Sequence, residues 1–359
     1  MAFDRVLNVA RKELPDHITS RRFITILALF LVISAVSIHE GIEVYNAQLD
    51  TYNEQLQQMT TEIEGPYPGW MPEKPSIMLV FLFMMSYMSA LGSILALAIG
   101  FDLVSKEKES RSLKSLLSHP VYRDEIINGK VLGGVGALGF AMALALAVSL
   151  AMLLVFSVVP TLDEFAAILI FGAASLGFLL AYFAVAITMS TVAKESGSAL
   201  IYTLVIFAVV STLLPILGTM AADVFSGDPP EPPDMVAPMP TPAQSSGGGY
   251  VTASDDPRET DPAWRDYEEA RKAYTEKRRF ISDVSSILSP QMNYMVVSMA
   301  VTNPGSSTMY TAYGALQVEP GGGLADALGQ VWMNIAALIV FPAVFFGATY
   351  VKFMRMDIR

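Results

Sequence analysis

The residues best suited to chemistry crowd one polar stretch, 101–130, where Glu107, Glu109, Arg111, His119, Arg123 and Lys130 alternate with Leu113, Leu116 and Leu117. No pair of nucleophile and base stands out among them, so the chemistry they suit is recognition. Leu113, Leu116 and Leu117 share one face of a short helix, which His119-Pro120 stops. Residues 123–128 form a second short helix that leads on to Lys130. Apolar knobs supply affinity and the surrounding charges set register, the means by which a soluble protein grips a short helix. The same composition also suits a connector resting on lipid headgroups.

The remaining motifs exclude more than they offer. Gly129-Lys130 runs straight into Val131 and lacks the upstream glycines of a nucleotide-binding loop. The three glycines at 247–249 sit in a Pro/Ser-rich stretch unsuited to cradling phosphate. The three histidines, His17, His39 and His119, fall on separate segments, and neither HExxH nor GxSxG occurs. The chain is therefore expected not to be an enzyme, and to bind neither cofactor nor metal. With no cysteine it has no disulfides and no thiol chemistry. Met84, Met85 and Met88 could ligate Cu(I), but their flexibility better suits packing or a lipophilic wall.

Six apolar stretches position these residues: 23–38, 76–101, 131–159, 165–192, 198–222 and 331–351. A helix crosses ~30 Å of hydrocarbon with about 20 apolar residues. Five stretches meet that length; the first needs tilt, or snorkelling of Arg21 and Arg22. It is expected to act as its own uncleaved insertion signal. Hydrophobic residues make up 53% of the chain and charged residues 16%, against about 25% charged in soluble domains. Alternate connections carry most of the basic residues, from Arg5, Arg11 and Lys12 through Lys106, Lys108 and Lys114 to Lys352 and Arg355; the long connection 223–330 carries seven more, but long loops weigh little in the count. Only Lys74 lies in 39–75, and 160–164 has none. The positive-inside rule then places both termini in the cytoplasm. The net charge of −11 comes from the opposite loops, and an acidic exterior argues against nucleic acid as a partner. Asp102, Asp163 and Glu164 stand at the ends of spans. The span interiors thus lack the ionisable groups along which proton and ion carriers build a pathway.

The fold class expected is an all-α integral membrane protein. Residues 1–22 supply an amphipathic connecting helix, with Phe3, Val6, Leu7, Ala10 and Leu14 on one face and Pro15 as its end. Residues 23–222 hold spans one to five, with the cytoplasmic loop 102–130 and the external loop 39–75. Within that external loop, 44–59 extends a helix above the membrane and 65–69 breaks it. Residues 223–330 form an external loop, whose Pro/Gly/Ser-rich first part cannot bury a core. A helix at 261–288 and a short apolar segment at 292–301 follow as a small external helical cap. Residues 331–359 carry the last span and a cytoplasmic tail.

The order Ser112-Leu113, Leu116-Leu117, Pro120-Val121, Arg123 and Gly129-Lys130, after Glu107 and Glu109, resembles the coupling-helix loop of ABC-type exporter permeases of the type-2 class. That class includes the permease of the nitrous-oxide-reductase maturation transporter. Arg111 stands where many members have glycine. Ala10-Arg11-Lys12-Glu13-Leu14, leading to Ser20-Arg21-Arg22-Phe23, is similar to the class's connecting helix. Leu288-Ser289-Pro290 with Tyr294 resembles a weaker feature before its last span. The six-span layout agrees, so the resemblance covers nearly the whole chain apart from the external insertion.

The resemblance implies a division of labour. Two copies of a cytoplasmic ABC ATPase subunit would carry ATP and Mg, and grip 103–129 and the turn at 193–196. The coupling residues would be Glu107, Glu109, Arg111, Leu113, Leu116, Leu117, His119, Pro120, Arg123 and Glu195. A second permease chain, as a homodimer, would complete a twelve-span core in the plasma membrane of a prokaryote. The cargo expected is lipophilic or envelope-derived, exported or extruded among membrane lipid. One alternative is a mechanotransmitter that passes ATPase motion to an external partner protein. Another is a membrane receptor or scaffold with no ATPase.

Overall fold

A computed structural model describes residues 2–62, 74–111, 122–233, 262–302, 308–311, 314–317 and 323–356. Among them six helices are long and apolar enough to cross a membrane, and the protein is an all-α integral membrane protein. Helix α1 (Ala2–Ile18) precedes α2 (Arg21–Glu62), which carries the first span. The second span joins α3 (Val80–Tyr87) to α4 (Ser93–Gly100) through a π turn at Met88–Gly92. The short α5 (Ser105–Glu109) follows. The third and fourth spans are α6 (Arg123–Val155) and α7 (Leu162–Val192). The fifth joins α8 (Ser196–Ala208) to α9 (Leu214–Ser226) through a π turn at Val209–Leu213. Then come α10 (Pro262–Ile287), α11 (Pro290–Thr302), an antiparallel hairpin of β1 (Thr308–Thr311) and β2 (Gly314–Gln317), α12 (Leu324–Gln330) and the last span, α13 (Trp332–Met354).

The chain divides into two compact units, Met1–Leu213 with Ile287–Arg359, and Leu214–Ser286. In the first, α7 is the hub and the most buried span, packing against α4, α6, α8, α11 and α13. Its sequence explains the role: Phe171, Phe178, Phe183 and Tyr182 are fully buried, with Gly172 and Ala181 between them allowing close approach. Phe178 stacks on Tyr294 of α11 at 4.7 Å and meets Tyr182 edge-on at 5.0 Å. The Tyr294 hydroxyl shares a 3.1 Å hydrogen bond with Ser175. Met84, Met85 and Met88 lie buried in this core, and the Ser149 hydroxyl donates to the Met84 sulfur at 3.5 Å.

In the second unit, Arg278 holds Asp223 with two hydrogen bonds of 2.7 and 3.0 Å, and Ser285 packs over Gly218.

Two elements differ from their reading in the sequence, and a third joins two pieces of it. The first span and the extension expected at 44–59 are one helix, unbroken for 42 residues, because the Glu- and Gln-containing continuation is itself a good helix former. Gly41 interrupts nothing there, since a Cβ would lie 2.6 Å from the Val80 carbonyl oxygen and α2 needs the gap to pack on α3. Helix α1 passes through Pro15 to Ile18, and the Thr19 amide and hydroxyl both donate to the Pro15 carbonyl, at 2.9 and 2.7 Å. The short apolar segment read as part of an external cap is α11, which is buried against α7 and α13. Ser289 and Pro290 start it as cap and first helical residue, the Met292 amide donating to the Ser289 hydroxyl.

Candidate functional site

The charged stretch of the sequence becomes a junction built around α5. Val104 and Ser105 present the free amides of its first turn, and both donate to the Ser190 hydroxyl of α7, at 2.9 and 3.0 Å. Lys108 reaches the last carbonyls of α7, those of Thr191 and Ala193, where a cation meets the negative end of the helix dipole. Glu109 does the converse at the start of α8, accepting from the Ser196 amide and hydroxyl at 3.2 and 2.9 Å. That bonding holds its carboxyl below the usual range. Three successive points along residues 104–109 are thus pinned to the ends of two spans.

The fourth tie is ionic. The Lys130 ammonium, with only 3% of its side chain exposed, lies 2.7 Å from Glu107 of α5 and 2.9 Å from Glu13 of α1. Arg5 of α1 pairs with the buried Glu125 of α6 at 2.9 Å and lies over the Tyr122 ring. Helix α1 therefore sits against α6 as well as being amphipathic, and the glycines explain the fit. A Cβ on Gly129 would lie 2.5 Å from Val9, and one on Gly133 would lie 2.7 Å from Glu13. Gly136 faces Leu14, Gly134 faces the Phe183 ring, and Gly139 has open space.

A cavity of about 510 Å³ opens at this junction, lined by Lys12, Glu13, His17, Asp102, Glu107 and Lys130 among others. Burial pushes the His17 imidazole below its ordinary pKa, against the pull of the Glu13 carboxylate. Arg22 closes one side through a 2.9 Å pair with Asp102.

Of the residues singled out in the sequence, Glu107 and Glu109 fall in the junction. Arg111 ends α5 with φ at +57°, the left-handed conformation that favours glycine. Arg123 donates to the Met356 carbonyl beyond the last span, at 2.9 Å. Glu195 occupies the cap position of α8, but its side chain makes no cap bond. Leu113, Leu116, Leu117, His119 and Pro120 lie outside the described residues. Sequence reasoning missed Lys108, Ser190, Ser196, Glu13 and Lys130 as a connected set. The one signal for it was a lysine at the start of an otherwise uncharged span.

At the junction, charges cap helix ends and pair with one another. The sequence matches the ABC-2 family transporter proteins over residues 7–358. The chain belongs to the ABC-2 transporter family. It is accordingly a multi-pass transmembrane permease subunit of an ABC transporter, a type of subunit that works with a separate ATP-binding subunit. No curated protein matches the chain.

Proposed function

We propose that this ABC-2 permease converts ATPase motion into span movement through the α5 junction. The carrying observation is that the short helix at the start of the 102–130 loop is tied directly to α6, α7 and α8 and, through Lys130, to α1. A push on that loop reaches one partner through each tie, and Arg123 extends the connection to the end of the last span. In this reading both termini and the loop face the cytoplasm. Two ABC ATPase subunits carry ATP and Mg and grip the loop and the turn at Glu195. A second identical chain completes the pathway.

Because the span interiors are apolar, the cargo proposed is lipophilic or envelope-derived, and the direction is export. The test uses Leu116→Asp and Arg123→Glu in the full chain. Both should lose the co-purifying ATPase while inserting normally. Undiminished ATPase recovery with both variants would sink the proposal.

A second reading, mechanotransmission to an external protein, draws support from residues 214–286 forming a unit of their own. Within that unit α10 buries no side chain, and Phe280 and Val284 are exposed. The likeness to the nitrous-oxide maturation permease belongs to this reading. Deleting residues 227–262 separates the two: transport should survive the deletion, whereas docking of a partner should not.

A further inference from the structure

A second cavity, of about 540 Å³, shares Arg21, Arg22, Ile26 and Ala98 with the junction cavity. Its walls come from α2, α4 and α8, with Ile26, Ile94, Leu97 and Leu204 facing the space. Ile94 and Leu204 are half-exposed, so the groove opens sideways, towards whatever surrounds the bundle. All three helices contribute the same end, the one at which α2 and α8 begin and α4 finishes. Charge appears in the lining only as two guanidinium groups.

The two arginines are not equivalent. Arg22 is already committed: it pairs with Asp102 at 2.9 Å and lies over the Phe101 ring. Arg21 makes no ion pair among the described residues, and the nearby Thr25 hydroxyl is turned back onto the Arg21 carbonyl at 2.9 Å. An apolar slot with an uncompensated cation at its mouth, at the end of membrane spans, has the polarity of a phospholipid.

We propose that this groove holds one anionic phospholipid, its phosphate on Arg21 and its upper acyl chains along Ile94, Leu97 and Leu204. A charge-assisted guanidinium–phosphate contact fixes the head, and the apolar walls accept the chains. The volume falls within the range of about 300–1,000 Å³ usual for small-molecule sites. A second copy of the chain fits less well. A two-fold contact places the same patch on itself, and this patch offers two arginines and no acid to receive them. A lipid seated here bridges spans one, two and five beside α5, so it sets how firmly those spans hold together.

The test is native mass spectrometry of the full-length chain in mild detergent. It is titrated with phosphatidylglycerol and, separately, with phosphatidylcholine. One phosphatidylglycerol should be retained at least about fivefold more tightly than phosphatidylcholine, the factor that one basic residue supplies near a membrane surface. Arg21→Ala should erase that preference, Arg21→Lys should keep it, and Leu204→Trp should fill the groove and expel both lipids. Equal retention of the two lipids, or an Arg21→Ala variant that still prefers phosphatidylglycerol, overturns the proposal. So does displacement of the lipid by inorganic phosphate alone, which would mean an anion site without an acyl slot. A Leu204→Trp variant that loses its partner chain while keeping the lipid would make the groove a subunit contact, and also overturns it. ATPase recovery is read in the same samples, so failure of the lipid site is distinguished from failure of the coupling reading.

Discussion

Replacing Lys130 by methionine keeps the length of the side chain and removes the charge shared by Glu13 and Glu107. The ammonium lies 2.9 and 2.7 Å from their carboxylate oxygens. At an effective dielectric constant of about 20 each contact represents about 6 kcal/mol of Coulomb energy before desolvation. Burying an ammonium that is 3% exposed offsets much of that, and the two carboxylates repel each other. What the substitution exposes is the penalty of two carboxylates left without a cation. Breaking a buried pair costs about 3–5 kcal/mol. Glu13 and Glu107 keep 15% and 19% of their side-chain exposure and can partly rehydrate, so the lower end, about 3 kcal/mol, is expected. The assay is denaturant unfolding of the detergent-solubilised chain, comparing midpoints at equal slope. The triple variant Lys130→Met, Glu13→Gln, Glu107→Gln should recover most of the loss, because neutral replacement of a whole buried ion cluster costs little. A single variant within about 0.5 kcal/mol of the parent, the range of ordinary surface changes, would refute the reasoning. So would a triple variant no better than the single one. In membranes, ATP-driven transport by Lys130→Met should fall further than recovery of the ATPase, since α5 keeps its ties to α7 and α8 but loses the one to α6 and, through it, to α1.

Gly129→Val should force α1 off α6, at about 1–3 kcal/mol of overpacking, and limited proteolysis should then cut faster after Arg5 and Arg11. Arg111→Gly should stabilise the fold by up to about 1 kcal/mol of relieved left-handed backbone and so raise the thermal midpoint; a lowered midpoint counts against this reasoning. The His17 imidazole titrates below its ordinary value of 6.5 in the folded chain, with burial as the main cause. Its contribution is therefore complete above pH 6.5 and is lost as the pH falls through the folded value, because the unfolded chain takes up the proton first. His17→Gln should flatten that acid limb in pH-dependent unfolding, and an unchanged limb would show that other groups set it.

How much of this was legible depends on the range over which each feature is decided. The six spans, the connecting helix and the helix at 262–287 follow from local composition and periodicity, since a lipid-facing helix must be apolar along its whole length. The 102–130 loop stood out for the same reason: it is charged where its neighbours cannot be. Arg111 shows the limit of local reading. The resemblance marked its position as one usually held by glycine, but only the backbone, at φ +57°, gives the physical reason. The burial of α11 could not be read from thirteen residues too short to span, because what it packs on lies more than a hundred residues earlier, at Ser175 and Phe178. The junction was invisible for the same cause. Lys130 and Glu13 are 117 positions apart, and Lys108 and Thr191 are 83 apart. A sequence displays each charge but not its partner. The amino-acid order by itself determined that this chain crosses a membrane six times and that charge gathers in the 102–130 segment. The packing of α1 on α6 and of α5 on α7 and α8 decided which charges meet, because only there do helix ends and buried side chains from distant segments come within hydrogen-bonding distance.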